Sequence, residues 1–338
     1  MSVVNLLVLG AGLIGSRHAS AIANSDICHL VGVVEPNPSR HELHDIRYFK
    51  NMDEVSEPVD GVIIATPTGL HLTHAEQAIA RGWHMLIEKP VTATPEEADQ
   101  LVAMIAKTDL HCLVGHHRRY HRSIRQLKEW VQMGEIGQPI TSSLIWAMRK
   151  PDDYFENNWR TTDGSPVMIN LIHDIDLMRF VLGNITDVTG FASANHRNSA
   201  RVESGAISLR FETGLCAAIT FADSALSPWG FEAGTGENPN IGSTYQDMWW
   251  ITGTAGSISF PSLTRWGNAT DWSQAVKPTN YEAPIVTPLD AQLSHFVSVI
   301  QGDEKPLITV QDAAASLSVT WEIETILSHQ IKQQGTKD

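Results

Sequence analysis

Short, solid apolar runs alternate with amphipathic stretches through the first third of the chain. Residues 3–9, 30–34, 61–65, 83–87 and 111–114 are rich in Val, Ile and Leu and bounded by Gly, Pro, Asn or Asp, the pattern of strands buried on both faces. Residues 16–24, 74–81 and 95–107 between them read as helices. Gly82 is placed as a C-cap and Thr94-Pro95-Glu96-Glu97 as a capping box. Strands alternating with helices predict a parallel, doubly wound sheet, whose ligands bind at the carboxyl ends of the strands. Beyond residue 120 the pattern changes. Residues 140–148, 185–191, 206–211, 215–221, 248–252 and 257–260 read as strands separated by Gly, Asn and Pro turns, and 310–333 as a closing helix.

A chain of 338 residues predicts two domains, divided here as 1–120 and 121–338. Lys and Arg number 24 against 38 Asp and Glu, a net charge of −14, which argues against nucleic acid or an anionic membrane surface as partner. No apolar run approaches the ~20 residues of a membrane span, and the first residues run directly into a glycine motif without the charged start of a signal peptide. The expectation is a cytoplasmic protein acting on a small molecule. Cys28, Cys112 and Cys216 lie too far apart in sequence to suggest a metal cluster or a disulfide framework, so no metal is expected.

The first predicted strand ends in Gly10-Ala11-Gly12-Leu13-Ile14-Gly15 and a helix follows, the context a dinucleotide fingerprint requires. Gly10 allows the tight turn, Gly12 lets a pyrophosphate approach bare backbone, and Gly15 lets helix and sheet pack closely. Glu35 ends the second strand 20 positions after Gly15, where a carboxylate accepts both ribose hydroxyls of NAD and repels the 2′-phosphate of NADP. NAD is therefore favoured, although Arg40 nearby leaves NADP open. Thr66, Pro67, Glu88 and Lys89 fall at strand ends on the same edge.

With these residues in view the sequence resembles the glucose–fructose oxidoreductase / inositol dehydrogenase / MocA family. The resemblance rests on Gly10 to Gly15 with His18, Ala65-Thr66-Pro67 followed by His71, and above all Gly82-Trp83-His84-Met85-Leu86-Ile87-Glu88-Lys89-Pro90. Gly115-His116-His117-Arg118-Arg119-Tyr120, the helix bearing His173, and Gly253-Thr254-Ala255-Gly256-Ser257 continue it over nearly the whole chain. It implies an N-terminal Rossmann domain and a C-terminal α+β domain with a large, mostly antiparallel sheet, whose open face would make a homodimer or homotetramer. It also adds Leu13, Ile14, His71, Glu88 and Lys89 to the cofactor side.

The chemistry implied is hydride transfer at a secondary hydroxyl, which needs a proton acceptor within hydrogen-bond reach. By resemblance this is Lys89, whose amine desolvation would tune; a cis Lys89–Pro90 bond is a further expectation. The second centre is the helix over residues 165–180, with Ser165 as N-cap and Pro166 at its first position, apolar almost all round and therefore buried. On an ideal helix Asn170 and His173 lie roughly 60° apart on one face with Asp174 near them, while Asp176 and Arg179 form a second, structural group. Many polyol-oxidising members carry an Asp four residues before this histidine; here that position is Ile169. Asn170 or Asp174 would take its place, leaving Lys89 the proton and His173 the binding or orienting of substrate. Trp159 could stack on a sugar ring, and Arg160 or Arg149 could clamp a carboxylate or simply form solvated ion pairs. Residues 231–245 read as a loop over the site.

These features predict an NAD-dependent dehydrogenase acting on a sugar, sugar acid or cyclic polyol. The alternatives are a dehydrogenase of carbocyclic diols or carboxylated substrates and, in another class, a catalytically inactive dinucleotide sensor.

Overall fold

The computed structural model describes residues 3–156, 164–197, 201–238, 240–281 and 287–334. The chain divides into two compact units, Met1–Tyr120 with Val286–Ser318, and His121–Ile285 with Val319–Asp338.

The first unit opens with β1 (Val4–Leu9), α1 (Leu13–Ala23), β2 (Cys28–Val34) and the two-residue β3 (Tyr48–Phe49). It continues with β4 (Gly61–Ile64), α2 (His71–Arg81), β5 (His84–Ile87), α3 (Pro95–Ile105) and β6 (Cys112–Val114). All pairings are parallel, in the order β3-β2-β1-β4-β5-β6, which makes it a Rossmann sheet. The predicted punctuation works as expected. Gly82 caps α2 in the left-handed region at φ 72°, and the Thr94 side chain accepts the Glu97 N–H while Glu97 reaches back to Ala93.

The second unit is built from α4 (Arg122–Gln132), β7 (Pro139–Ala147), α5 (Ile172–Leu182), β8 (Ile185–Ser193), β9 (Ser204–Phe211) and β10 (Cys216–Ala222). α6 (Phe231–Thr235), β11 (Trp249–Gly253), β12 (Ser257–Phe260), β13 (Thr264–Gly267) and β14 (Lys277–Thr279) follow. Its eight strands run β14-β13-β12-β11-β7-β10-β9-β8, antiparallel except where β10 meets β7. The chain is thus α/β followed by α+β. Alternation along β9 and β10 sends Ile207, Leu209, Ile219 and Phe221 into a core shared with Trp146, Ile175 and Leu327. The short α6 occupies part of the stretch expected to be a loop.

The last two helices are α7 (Pro288–Ile300) and α8 (Val310–Gln334). Where the expected division assigned everything after residue 120 to the second domain, α7 and the first turns of α8 pack with the first. The cause is visible at Gly61, where a Cβ would come within 2.8 Å of Ile300 and 3.1 Å of Phe296. A bare backbone in β4 lets α7 lie against the sheet, and buried Gln292 donates to the Val114 carbonyl at the end of β6.

At the amino ends of β5 and β6, His84 Nδ1 accepts the His111 N–H at 3.0 Å, which requires a lone pair on that nitrogen. Burial first, and then the neighbouring His111 ring, hold the His84 pKa below its ordinary value against the pull of Asp60. An unfolded histidine titrates near ~6.5, so the stability held by the neutral ring is complete above that pH and is lost as pH falls toward the lower folded value. Thermal unfolding midpoints should therefore fall between about pH 7.5 and 5.5, less steeply in His84→Asn. An identical slope in that variant would remove the assignment.

Candidate functional site

The turn after β1 is shaped by what its glycines leave out. A Cβ on Gly15 would fall 2.1 Å from the Gly10 carbonyl oxygen, and one on Gly10, at φ 93°, would fall 2.7 Å from that of Ala65. Gly12 is the opposite case, with nothing within 4 Å of its Cβ direction. The close contacts lock α1 against β1 and β4, and the open one leaves bare backbone facing space. The α1 N-terminus has no side-chain cap and no acidic residue in its first turn, so its N–H groups and dipole stay available to an anion. Leu13 is exposed and Ile14 half-buried beside it.

Glu35 lies just beyond β2 and is only 5% exposed. Its Oε2 accepts the Ala11 N–H at 3.1 Å and its Oε1 the Asn37 N–H at 3.0 Å. Each carboxylate oxygen keeps a lone pair, which suits a vicinal diol. Arg40 Nη1 stands 3.9 Å from Oε2 on a largely exposed side chain. A cleft of about 570 Å³ is lined by Gly10, Gly12, Glu35, Arg40, Thr66 and Pro67, and a wider groove of about 1030 Å³ runs from Gly12 and Arg40 along α1 to α7. This cradle fits the ribose and pyrophosphate of a dinucleotide. Glu35→Ala should weaken NAD+ and strengthen NADP+, since Arg40 remains to meet a 2′-phosphate. Fluorescence titration with both cofactors reads the ratio, and an unchanged ratio would count against Glu35.

Lys89 follows β5 on the same edge, and the Lys89–Pro90 peptide is cis. Beneath it Glu88 is buried, with Oε1 2.8 Å from His18 Nε2 and Oε2 accepting the Lys89 N–H at 3.2 Å. Burial alone would raise the Glu88 pKa. The hydrogen bond and charge of His18, with His117 and Lys89, hold it below the usual carboxylate range instead. Gly115 makes room for this carboxylate, since a Cβ there would lie 2.8 Å from its carbon. The sequence marked His18 and Glu88 separately; the structure joins them across 70 residues.

His71, expected on the cofactor side, is buried, with both ring nitrogens against backbone carbonyls. Thr66 Oγ1 is 3.0 Å from His74 Nδ1, a contact the sequence did not signal.

In the second unit the segment that carries His173 begins as expected, with Ser165 Oγ accepting the Val167 N–H. It then makes a π turn over Val167–Leu171, where the Ile172 N–H reaches the Val167 carbonyl, before α5 resumes regular winding. The wider turn holds an additional residue, so the ideal-helix angle between Asn170 and His173 does not apply across it. Single π turns of this kind are frequent at functional sites. Asn170 is half-buried and its Oδ1 has no hydrogen-bond partner among the described residues, while His173, Asp174, Asp176 and Arg179 are buried. Arg179 donates to Asn184. Arg149 lies 3.8 Å from Asp152 in an exposed pair, and Trp159 and Arg160 fall outside the described residues.

One cluster had no sequence signal. Asp223, fully buried beyond β10, pairs with Arg197 through Oδ1 and with Arg201 through Oδ2, and both guanidinium groups lie over the Phe155 ring. Among the described residues no group of three or more His, Cys, Asp or Glu could hold a metal, and no helix is long and apolar enough to cross a membrane.

Comparison with known proteins bears on the fold and the family. Residues 4–116 match an oxidoreductase family with an NAD-binding Rossmann fold, and residues 124–259 match the GFO/IDH/MocA C-terminal domain. The rhizopine catabolism protein MocA of Rhizobium meliloti is 26% identical over 98% of this chain and 98% of its own. The scyllo-inositol 2-dehydrogenase (NAD(+)) of Bacillus subtilis is 27% identical over 94% and 92%. The solved UDP-N-acetylglucosamine 3-dehydrogenase of Acidithiobacillus ferrooxidans superposes with a TM-score of 0.80 at 23% identity, covering 98% of this chain and 100% of that one, a likeness of fold.

Proposed function

We propose, as the chain belongs to the GFO/IDH/MocA family of oxidoreductases, that it is an NAD-dependent dehydrogenase of a secondary hydroxyl on a sugar, sugar acid or cyclic polyol. The observation that carries the cofactor reading is Glu35, pinned by two backbone N–H groups beside an open cleft. The substrate class draws on relatives named for dehydrogenation of an inositol at position 2 and of UDP-N-acetylglucosamine at position 3.

A nicotinamide held beside this cradle would supply the acceptor for the hydride of the carbinol carbon. The chain's residues manage the remaining proton. A neutral Lys89 amine takes it from the hydroxyl as the C=O bond forms, so that substrate loses one hydride and one proton and Lys89 gains one positive charge. His173 binds or orients the hydroxyl, and Asn170 or Asp174 stands in for the aspartate that many polyol-oxidising members carry at the position of Ile169. Asp174, Trp159 and Arg160 complete the reading on the substrate side. The exposed face of the eight-stranded sheet, with Phe191 78% and Ile140 46% exposed, would join copies into a dimer or tetramer. A monomer in sedimentation velocity would remove that part.

The test is NADH formation at pH ~8–9, where release of a proton favours oxidation, against inositols, aldoses, uronates and carbocyclic diols. Turnover of polyols or sugars supports the reading. Turnover confined to carbocyclic diols overturns the substrate class, and cofactor binding without any turnover overturns the enzyme.

A further inference from the structure

His71 sits at the start of α2, four residues after Pro67, and is 1% exposed. Nε2 lies 2.9 Å from the Thr66 carbonyl oxygen and Nδ1 2.9 Å from that of Pro90. One side chain thus spans the loops that follow β4 and β5, and Pro90 is covalently next to Lys89. The opposite flank of the same turn is held by Glu88, which accepts the Lys89 N–H and is itself tied to His18. The Lys89 backbone is therefore gripped on both sides by buried groups.

Carbonyl oxygens only accept, so a neutral ring, with its single N–H, donates to one of the two at a time and the tautomer decides which, while the other nitrogen packs against the second carbonyl. Burial, the larger influence, lowers the His71 pKa, while the two carbonyls and the Glu88 carboxylate pull it upward; His74, one turn along α2, is the other titratable neighbour. A ring placed between two acceptors despite that burial is there to hold them.

We propose that His71 is a positioning residue for Lys89, fixing the Lys89–Pro90 turn against the Thr66 loop without touching cofactor or substrate. The proposal rests on the reading of Lys89 as proton acceptor. A side chain acting this way affects the chemical step more than cofactor binding, because a misplacement of ~1 Å at a reacting group costs up to ~10²-fold in rate.

The experiment compares His71→Phe, which keeps a ring without donors, with His71→Gln, which restores an N–H donor. In His71→Phe, kcat should fall about 10- to 100-fold while the NAD+ dissociation constant moves less than about threefold, and His71→Gln should recover part of the rate. Unchanged kcat overturns the proposal, and so does a loss of NAD+ affinity as large as the loss of kcat, which would make His71 a cofactor contact. Should the variants not fold, nitrogen-15 NMR of the His71 ring in the wild-type protein decides. A hydrogen-bonded, slowly exchanging ring N–H supports the latch, and two ring nitrogens without one overturn it. Lys89→Met separates the two readings. If it retains turnover the Lys89 role fails. If it is inactive while His71→Phe is normal, only the positioning role fails.

Discussion

Lys89→Met should abolish turnover and leave the cofactor bound. Methionine keeps an unbranched stem of similar length, so the Glu88–His18 pair and the turn around Pro90 keep their packing. What disappears is the one group proposed to accept the substrate proton. General acid–base catalysis is worth about 10²–10⁴-fold, so kcat should drop by at least two orders of magnitude while the NAD+ dissociation constant stays near its original value. Lys89→Arg sharpens the test, because guanidinium preserves a positive charge and cannot give up its proton at working pH. If charge alone mattered, Lys89→Arg would be active. If proton transfer matters, it should be nearly as poor as Lys89→Met. Near-normal rates in either variant would sink the assignment, and stopped-flow measurement of NADH formation gives the readout with least interference from product release.

The dinucleotide half of this site could be read from sequence because it is local. Gly10 to Gly15 and Glu35 are placed by one strand–turn–helix–strand unit, and the apolar runs of β1, β4 and β5 stand out because both faces of a parallel sheet are buried. Where elements are short and paired at an edge the pattern fades. β3 has two residues and β14 three, too few to show alternation. Nothing in the sequence indicated that α7 returns to the first sheet, since the space at Gly61 exists only once β4 and α7 have met. The π turn over Val167–Leu171 was equally hidden, because it is defined by backbone hydrogen bonding rather than by a residue type. His71 shows the same limit from another direction. A histidine five positions after a strand-end threonine suggests a ligand contact, and only the folded chain reveals that Pro90, 19 residues away, takes its other nitrogen.

The Arg197–Asp223–Arg201 cluster was the least legible group, and it supports the largest stability prediction. Asp223 is fully buried, and its carboxylate is shared by two arginines that come from the segment before β9. Arg197 also donates to the Lys150 and Asp223 carbonyls, and Arg201 to the carbonyls of Val202 and of Gly164, just ahead of Ser165. Removing the carboxylate leaves two guanidinium groups in a site that excludes water, and breaking a buried pair from one side costs about 3–5 kcal/mol. In a unit of this size Asp223→Ala should therefore lower the unfolding midpoint by on the order of 10 °C. Asp223→Asn, which keeps an acceptor and loses the charge, should fall between the two. A shift of only a degree or two would mean that the arginines relax to solvent and that the cluster holds little. The functional consequence follows from Gly164. Arg201 ties the start of the segment carrying Asn170 and His173 to the edge of β10, so a loosened Arg201 should raise KM for substrate in the surviving folded protein while NAD+ affinity, set by the other unit, stays constant.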